Sequence, residues 1–297
     1  VVVLLSTTHA EPSDGLGPAR LHAGYRVERE VDAARDLAAE HRAWLGRSVA
    51  VYGAAGRVCS GQVSRLIVLA EIIPHFGSVQ AWEEEQRPAA ARAEELWRMS
   101  EGSRWLGAKL ELGADACAGA RWARSEHLSP PVLYTAEDAP APPRLLERLV
   151  AIPATRSFQR EYEAQGGQGP WHAGARVKHV RFRAPGAAAT RPAPDEPTFS
   201  AISLSVGLPC SPELTADLLG IFRTSAGTSR LLSHPRQPTE GPASYTRGPE
   251  FPTPELAFDL EADGVPELIA GQTLLVLHGS AYLPVLNVEP VSLDCPC

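Results

Sequence analysis

The sequence predicts an α+β protein, with an N-terminal half of helices packed on short strands and a C-terminal half that is mostly antiparallel β. Three observations point there. Apolar residues recur at helical spacing over 27–45 and again toward Met99. Beyond residue 198, short β-branched and aromatic runs alternate with turn residues. Between the halves, residues 184–197 are dominated by Ala and Pro and carry almost no bulky apolar side chain, the composition of a linker. The expected division is a lead-in over 1–24, an α+β domain over 25–183, the linker at 184–197, and a mostly β domain over 198–297 that carries an acidic loop.

The opening run, Val1-Val2-Val3-Leu4-Leu5-Ser6-Thr7-Thr8-His9-Ala10, has two readings. It fits the end of a signal-peptide apolar region cleaved after Ala10, and it fits a buried first strand. Residues 11–24 are rich in Pro and Gly and read as a lead-in. Val27, Val31, Ala34, Ala38 and Leu45 then follow a helical stripe that stops near Gly46. From Ser48 the period changes. Val49 to Tyr52 is a strand, Ala54-Ala55-Gly56 a turn, and Val58–Ser60 and Leu66–Ile73 are further strands.

A second helix is expected from Val79 to Met99, kinked or broken at Pro88. Trp105–Leu112 and Ala120–Arg124 read as a hairpin, and Val132–Tyr134 as a short strand. Leu145–Tyr162 is a third helical stretch, interrupted by Pro153. Arg176 to Arg183 alternates as a strand with four basic residues, which suits a charge-protected sheet edge. After the linker, strands are expected at 199–206, 218–224, 231–232, 256–258, 268–269, 273–278 and 282–288.

Composition narrows the class. At 297 residues the chain can bury a sizeable core. Its hydrophobic content of 44% and charged content of 21% are ordinary for a globular protein. A net charge of -7 argues against nucleic acid as a partner, even with a basic, aromatic-bearing strand at 176–183. No apolar run reaches eighteen residues, so no transmembrane helix is expected. Among 28 Lys and Arg residues only Lys109 and Lys178 are lysine, and Met99 is the single methionine. Those biases fit a GC-rich bacterial genome.

Five cysteines lie at Cys59, Cys117, Cys210, Cys295 and Cys297. In an exported chain the preferred bridge is Cys59–Cys117, with Cys210 pairing to Cys295 or Cys297. A reduced set, or a redox or metal role for the terminal Cys-Pro-Cys, is the other reading. The first pairing, with the opening apolar run, points to a secreted or periplasmic protein.

The segment richest in chemistry is Phe258-Asp259-Leu260-Glu261-Ala262-Asp263-Gly264-Val265-Pro266-Glu267-Leu268-Ile269. Three alternating carboxylates, a glycine and a fourth carboxylate suit a hard cation that wants several oxygens in a flexible shell. Asp259, Glu261, Asp263, the Val265 carbonyl and Glu267 are the candidate ligands, and calcium the candidate ion. Position 12 holds Ala270 instead of the bidentate Glu of an EF-hand. The other reading is a plain acidic hairpin turn.

Over these dozen residues the pattern resembles the calcium loop of the FG-GAP/VCBS repeats of integrin-α-type propellers. That form is roughly Asp-x-Asp-x-Asp-Gly-x-x-Asp followed by an apolar strand. Asp259, Asp263, Gly264 and the strand match it, while Glu261 and Glu267 replace the family's shorter acids, and no second copy occurs. The resemblance implies a structural calcium ion.

No phosphate-binding Gly-Lys-Ser/Thr loop, dinucleotide Gly pattern, His-Glu-x-x-His or Gly-x-Ser-x-Gly elbow occurs. Cys59 and Ser60 are weak nucleophile candidates, and His172 and His179 weak candidates for a pocket or transition metal. The expected function is therefore an exported, non-catalytic, calcium-binding protein with a recognition or surface-association role and a protein or glycan partner. The alternatives are a hydrolase whose site is assembled from distant residues, and a structural domain without metal.

Overall fold

The computed structural model describes residues 2–9, 16–22, 26–32, 37–73, 86–100, 104–112, 117–164, 168–186, 197–206, 216–232, 253–271, 273–286 and 291–292. Strands dominate it throughout. The expected α+β class, with a helical N-terminal half, is overturned: the protein is mostly β, built on three sheets. Among the described residues the α-helices are four short ones, α1 (Ala39–Arg42), α2 (Ala89–Met99), α3 (Pro143–Val150) and α4 (Pro153–Ala164). The chain divides into two compact units, Val1–Pro130 with Leu286–Pro296, and Pro131–Val285 with Cys297.

In the first unit the strands are β1 (Val2–His9), β2 (Arg20–His22), β3 (Arg26–Glu30), β4 (Ser48–Gly53), β5 (Gly56–Ile73), β6 (Trp105–Leu112) and β7 (Trp122–Ser125). The long β5 organises them. One of its edges pairs with β4 over its first part and with β3 further on, and the other carries β6. β6 pairs in turn with β1, β3 with β2, and β4 with β7, all antiparallel. The expected hairpin of 105–112 with 120–124 therefore does not form, because β6 and β7 each pair with another strand.

The predicted helix over 27–45 is a strand at its start. Val27 and Val31 are buried with Trp97, and the Arg29 guanidinium lies 5.0 Å over the Trp97 ring between them. Glu28 and Glu30 face the other way, toward Lys109 and Arg65. That is a period of two, with an arginine covering an apolar surface where sequence reading scores it as polar. Helix α2 does form, starting directly after Pro88, whose fixed φ suits a helix start. It packs Ala93, Leu96 and Trp97 against β3 and β5. Residues 86–88 of the expected second helix are not helical, with Gln86 in a left-handed conformation (φ 48°), and 79–85 lie outside the described residues.

The second unit holds β8 (Val132–Leu133), β9 (Thr135–Asp138), β10 (Arg176–Arg183), β11 (Thr198–Val206), β12 (Ala216–Ser225), β13 (Thr228–Leu231), β14 (Leu256–Asp259), β15 (Glu267–Ala270), β16 (Thr273–His278) and β17 (Ala281–Leu286). One sheet runs β13-β12-β11-β10-β9 and the other β17-β16-β15-β14-β8. Phe182, Phe199 and Ile221 of the first pack against Ala257, Leu268 and Leu275 of the second. On its other face the first sheet buries Ile202, Leu204 and Phe222 against Leu145 and Leu149 of α3. The unit is thus three layers deep, helix on sheet on sheet.

Strand β10 is not the sheet edge the basic alternation implied. It lies between β9 and β11, and Glu137 answers Arg181 and Arg183 at 3.2 and 2.8 Å. The strands that flank the expected 184–197 linker, β10 and β11, pair with each other from Arg176↔Ser205 to Phe182↔Phe199. The last strand, β18 (Val291–Ser292), returns to the first unit and runs parallel to the end of β5.

Candidate functional site

The acidic loop joins β14 to β15. Leu256↔Ile269, Ala257↔Leu268 and Phe258↔Glu267 are cross-strand partners, so the hairpin closes around residues 259–266. Alternation along β14 and β15 sends Ala257 and Leu268 into the core and sets Glu267 at the loop's mouth, half-buried. The chain reverses through two left-handed residues, Ala262 (φ 58°) and Gly264 (φ 79°). Glycine adopts that conformation without strain, while an alanine there is uncommon.

Asp259 occupies the middle of this turn. Its side chain is buried, and both oxygens accept hydrogen bonds from the loop's own backbone. Oδ1 accepts from the N–H groups of Glu261 (3.1 Å) and Asp263 (3.2 Å), and Oδ2 from that of Gly264 (2.7 Å). The Asp263 carboxylate accepts from the Val265 N–H (2.8 Å), an Asx turn nested inside the larger one. Glu267 Oε2 accepts from the Leu260 N–H (2.9 Å), closing the loop from its far side. Below them the Tyr282 hydroxyl donates to the Pro266 carbonyl (2.7 Å). Glu261 and Asp263 stand exposed.

Electrostatics follow this arrangement. Burial pushes the Glu267 carboxyl above its ordinary range, with the Asp259 and Asp263 charges adding to the effect and the Leu260 N–H opposing it. Burial also raises the Tyr282 phenol, reinforced by Glu267.

All five predicted ligands therefore lie in one loop, but their oxygens serve different partners. Asp259 faces inward to three backbone N–H groups, Glu267 faces Leu260, and Glu261 points to solvent. Among the described residues no group of three or more His, Cys, Asp or Glu side chains gathers as a metal would require.

The other sequence candidates are scattered. Cys59 of β5 and Cys117 stand at disulfide distance, with Cα atoms 5.5 Å apart. Cys210, Cys295 and Cys297 lie outside the described residues. Ser60 receives the Arg57 guanidinium and lies 3.4 Å from Glu126. His179 is buried on β10 with Nδ1 3.0 Å from the Pro140 carbonyl, and His172 follows Trp171, their rings 5.5 Å apart. No helix among the described residues is long and apolar enough to cross a membrane.

No family model, curated protein or solved structure matches this chain. What the site can do must come from its own geometry. A carboxylate that takes three N–H donors is a strong local organiser, since bonds to an ionised acceptor are about twice as strong as neutral ones. The arrangement can hold a tight hairpin tip in one conformation. Sequence reasoning weighed its carboxylates as cation ligands and missed their use as acceptors for their own backbone. The signal was available: an Asp two residues before a glutamate N–H and five before a glycine suits an Asx-type turn.

Proposed function

We propose that this is an exported, non-catalytic protein with a recognition or surface-association role, in which the acidic loop is a self-capped turn fixing one end of the β14–β15 hairpin. The observation that carries the loop's role is Asp259, buried with both oxygens on loop N–H groups. Export is supported by the approach of Cys59 and Cys117, which is compatible with an oxidising compartment. The non-catalytic reading is supported by how the nucleophile candidates are engaged: Cys59 faces Cys117, and Ser60 is tied to Arg57 and Glu126. Peptide mapping of the non-reduced protein tests the compartment. A linked Cys59–Cys117 peptide is expected, and two free thiols in protein recovered from an oxidising compartment would contradict it.

A second reading keeps calcium as a structural ion at the same tip. One observation favours it: Glu267 is held half-buried beside two further carboxylates, an unfavourable crowding that a divalent cation would relieve. In that reading the exposed Glu261 and Asp263, the Val265 carbonyl and the remaining Glu267 oxygen supply the shell, and Asp259 organises it from behind. Calorimetric titration with calcium decides between them. Heat of binding in the parent that disappears in Asp263→Asn supports the ion, and a flat titration in the parent supports the turn alone.

A further inference from the structure

The first unit presents a second polar cluster on the ribbon formed by β5, β4 and β7. Ala50 lies opposite Arg124 on one side and Ser60 on the other, and Tyr52 lies opposite Trp122 and Arg57. Side chains alternate, and a register shift between Val51 and Tyr52 leaves Val58 as an extra residue in β5, so Tyr52, Ala50, Trp122, Arg124, Arg57 and Ser60 share one face. The Tyr52 and Trp122 rings stack with centroids 4.5 Å apart and planes 15° from parallel. The Glu126 N–H extends the ladder to the Ser48 carbonyl, and its carboxylate takes the Arg57 guanidinium.

Arg124 is the anomaly on this face. Its Nε and Nη1 are both shielded from solvent, and neither has a hydrogen-bond partner among the described residues. The acid two residues further on, Glu126, lies just past the end of β7 and is already paired with Arg57. Those two charges cancel, so the guanidinium of Arg124 keeps a net positive charge on a face that is partly closed to water. Guanidinium groups cannot shed their proton to escape such a position, and a shielded donor left without an acceptor is costly. Native structures satisfy such groups almost without exception.

We infer that Arg124, at the foot of the Tyr52–Trp122 stack, is the anchor of a binding site for an oxyanion, the phosphate or carboxylate group of a ligand. The guanidinium supplies charge-assisted donors to that group. Arg57 lies on the same face but is already paired with Glu126, and becomes a second cation only when that acid is neutralised. Cys59, between Arg57 and Ser60 in sequence, ties this part of β5 to Cys117 before β7, which holds the ribbon's strands in place. The site stands independently of the role proposed for the acidic loop.

The test is thermal unfolding of the full chain in inorganic phosphate, in acetate and in chloride at equal ionic strength, with Trp fluorescence titrated in parallel. The parent is expected to gain about 3 °C in phosphate or acetate over chloride. Selectivity for one anion names the ligand group. Arg124→Gln is expected to lose the gain, and Arg124→Lys to keep only part of it. If Arg124→Gln does not fold, Glu126→Gln carries the test: freeing Arg57 is expected to tighten phosphate or acetate binding several-fold. Equal midpoints for the parent in all three salts, the full gain in Arg124→Gln, or an unaltered response in Glu126→Gln would overturn the assignment.

Discussion

Glu267 carries two opposed demands. Its Oε2 must accept the Leu260 N–H at 2.9 Å to close the loop, yet burial and the neighbouring Asp259 and Asp263 disfavour its charge. Its folded pKa is raised, so the native state holds this proton over a range where the unfolded chain has released it. Linkage then lowers stability as pH rises from the unfolded value, about 4.3, through the raised folded value. Glu267→Gln keeps an oxygen acceptor for Leu260 and removes the charge. The variant's stability relative to the parent is expected to improve as pH increases from 4 to 7. Chemical denaturation at several pH values measures this, and a difference that stays flat or falls with pH would refute the proposed conflict. None of these couplings was legible in the sequence, which shows that four acids are near one another but not which of them faces the backbone.

The strands and helices divide by how local their causes are. Helices α3 and α4 were readable, because Pro143 and Pro153 fix where each begins and the apolar stripe of Leu145 and Leu149 follows. Strands β14 to β17 were equally readable from short apolar runs between turns. Strand β3 was not, since its burial depends on Trp97, a partner about seventy residues away that turns Arg29 into a packing residue. The misread β6–β7 hairpin has the same origin: β5 is long enough to attract both β4 and β6, and pairing partners are not encoded locally. Packing of α3 on its sheet is tight at Gly220 of β12. A Cβ there would lie 2.9 Å from Leu149 Cδ1 and 2.9 Å from Phe222 Cε2. Gly220→Ala is therefore expected to destabilise the protein by about 1–3 kcal/mol through overpacking. Denaturant unfolding checks it, and an unchanged midpoint would show that the helix can retreat from the sheet at no cost.

The whole chain is two β-rich units, each with helical structure packed on a sheet (α2 in the first, α3 in the second), and the boundary at Pro130–Pro131 falls where the sequence offers only Ser-Pro-Pro as a signal. The Pro- and Ala-rich stretch at 184–197 looks like the stronger divider in the sequence, yet the strands on either side of it are paired along most of their length. Low apolar content marks a loop, and whether that loop separates domains or joins neighbouring strands depends on pairings formed elsewhere. The second unit carries the tip between β14 and β15, where Asp259 accepts hydrogen bonds from three of the loop's own N–H groups. Removing it leaves three donors without that acceptor, a loss of about 3 kcal/mol by the usual worth of bonds to a charged group. The measurement that bears most directly on this is thermal unfolding of the parent and of Asp259→Ala, each in calcium and in chelator. A midpoint lowered in Asp259→Ala by the same amount under both conditions is the expected result. A parent stabilised by calcium, with the deficit of Asp259→Ala vanishing in chelator, would show that the carboxylate serves an ion and not the backbone.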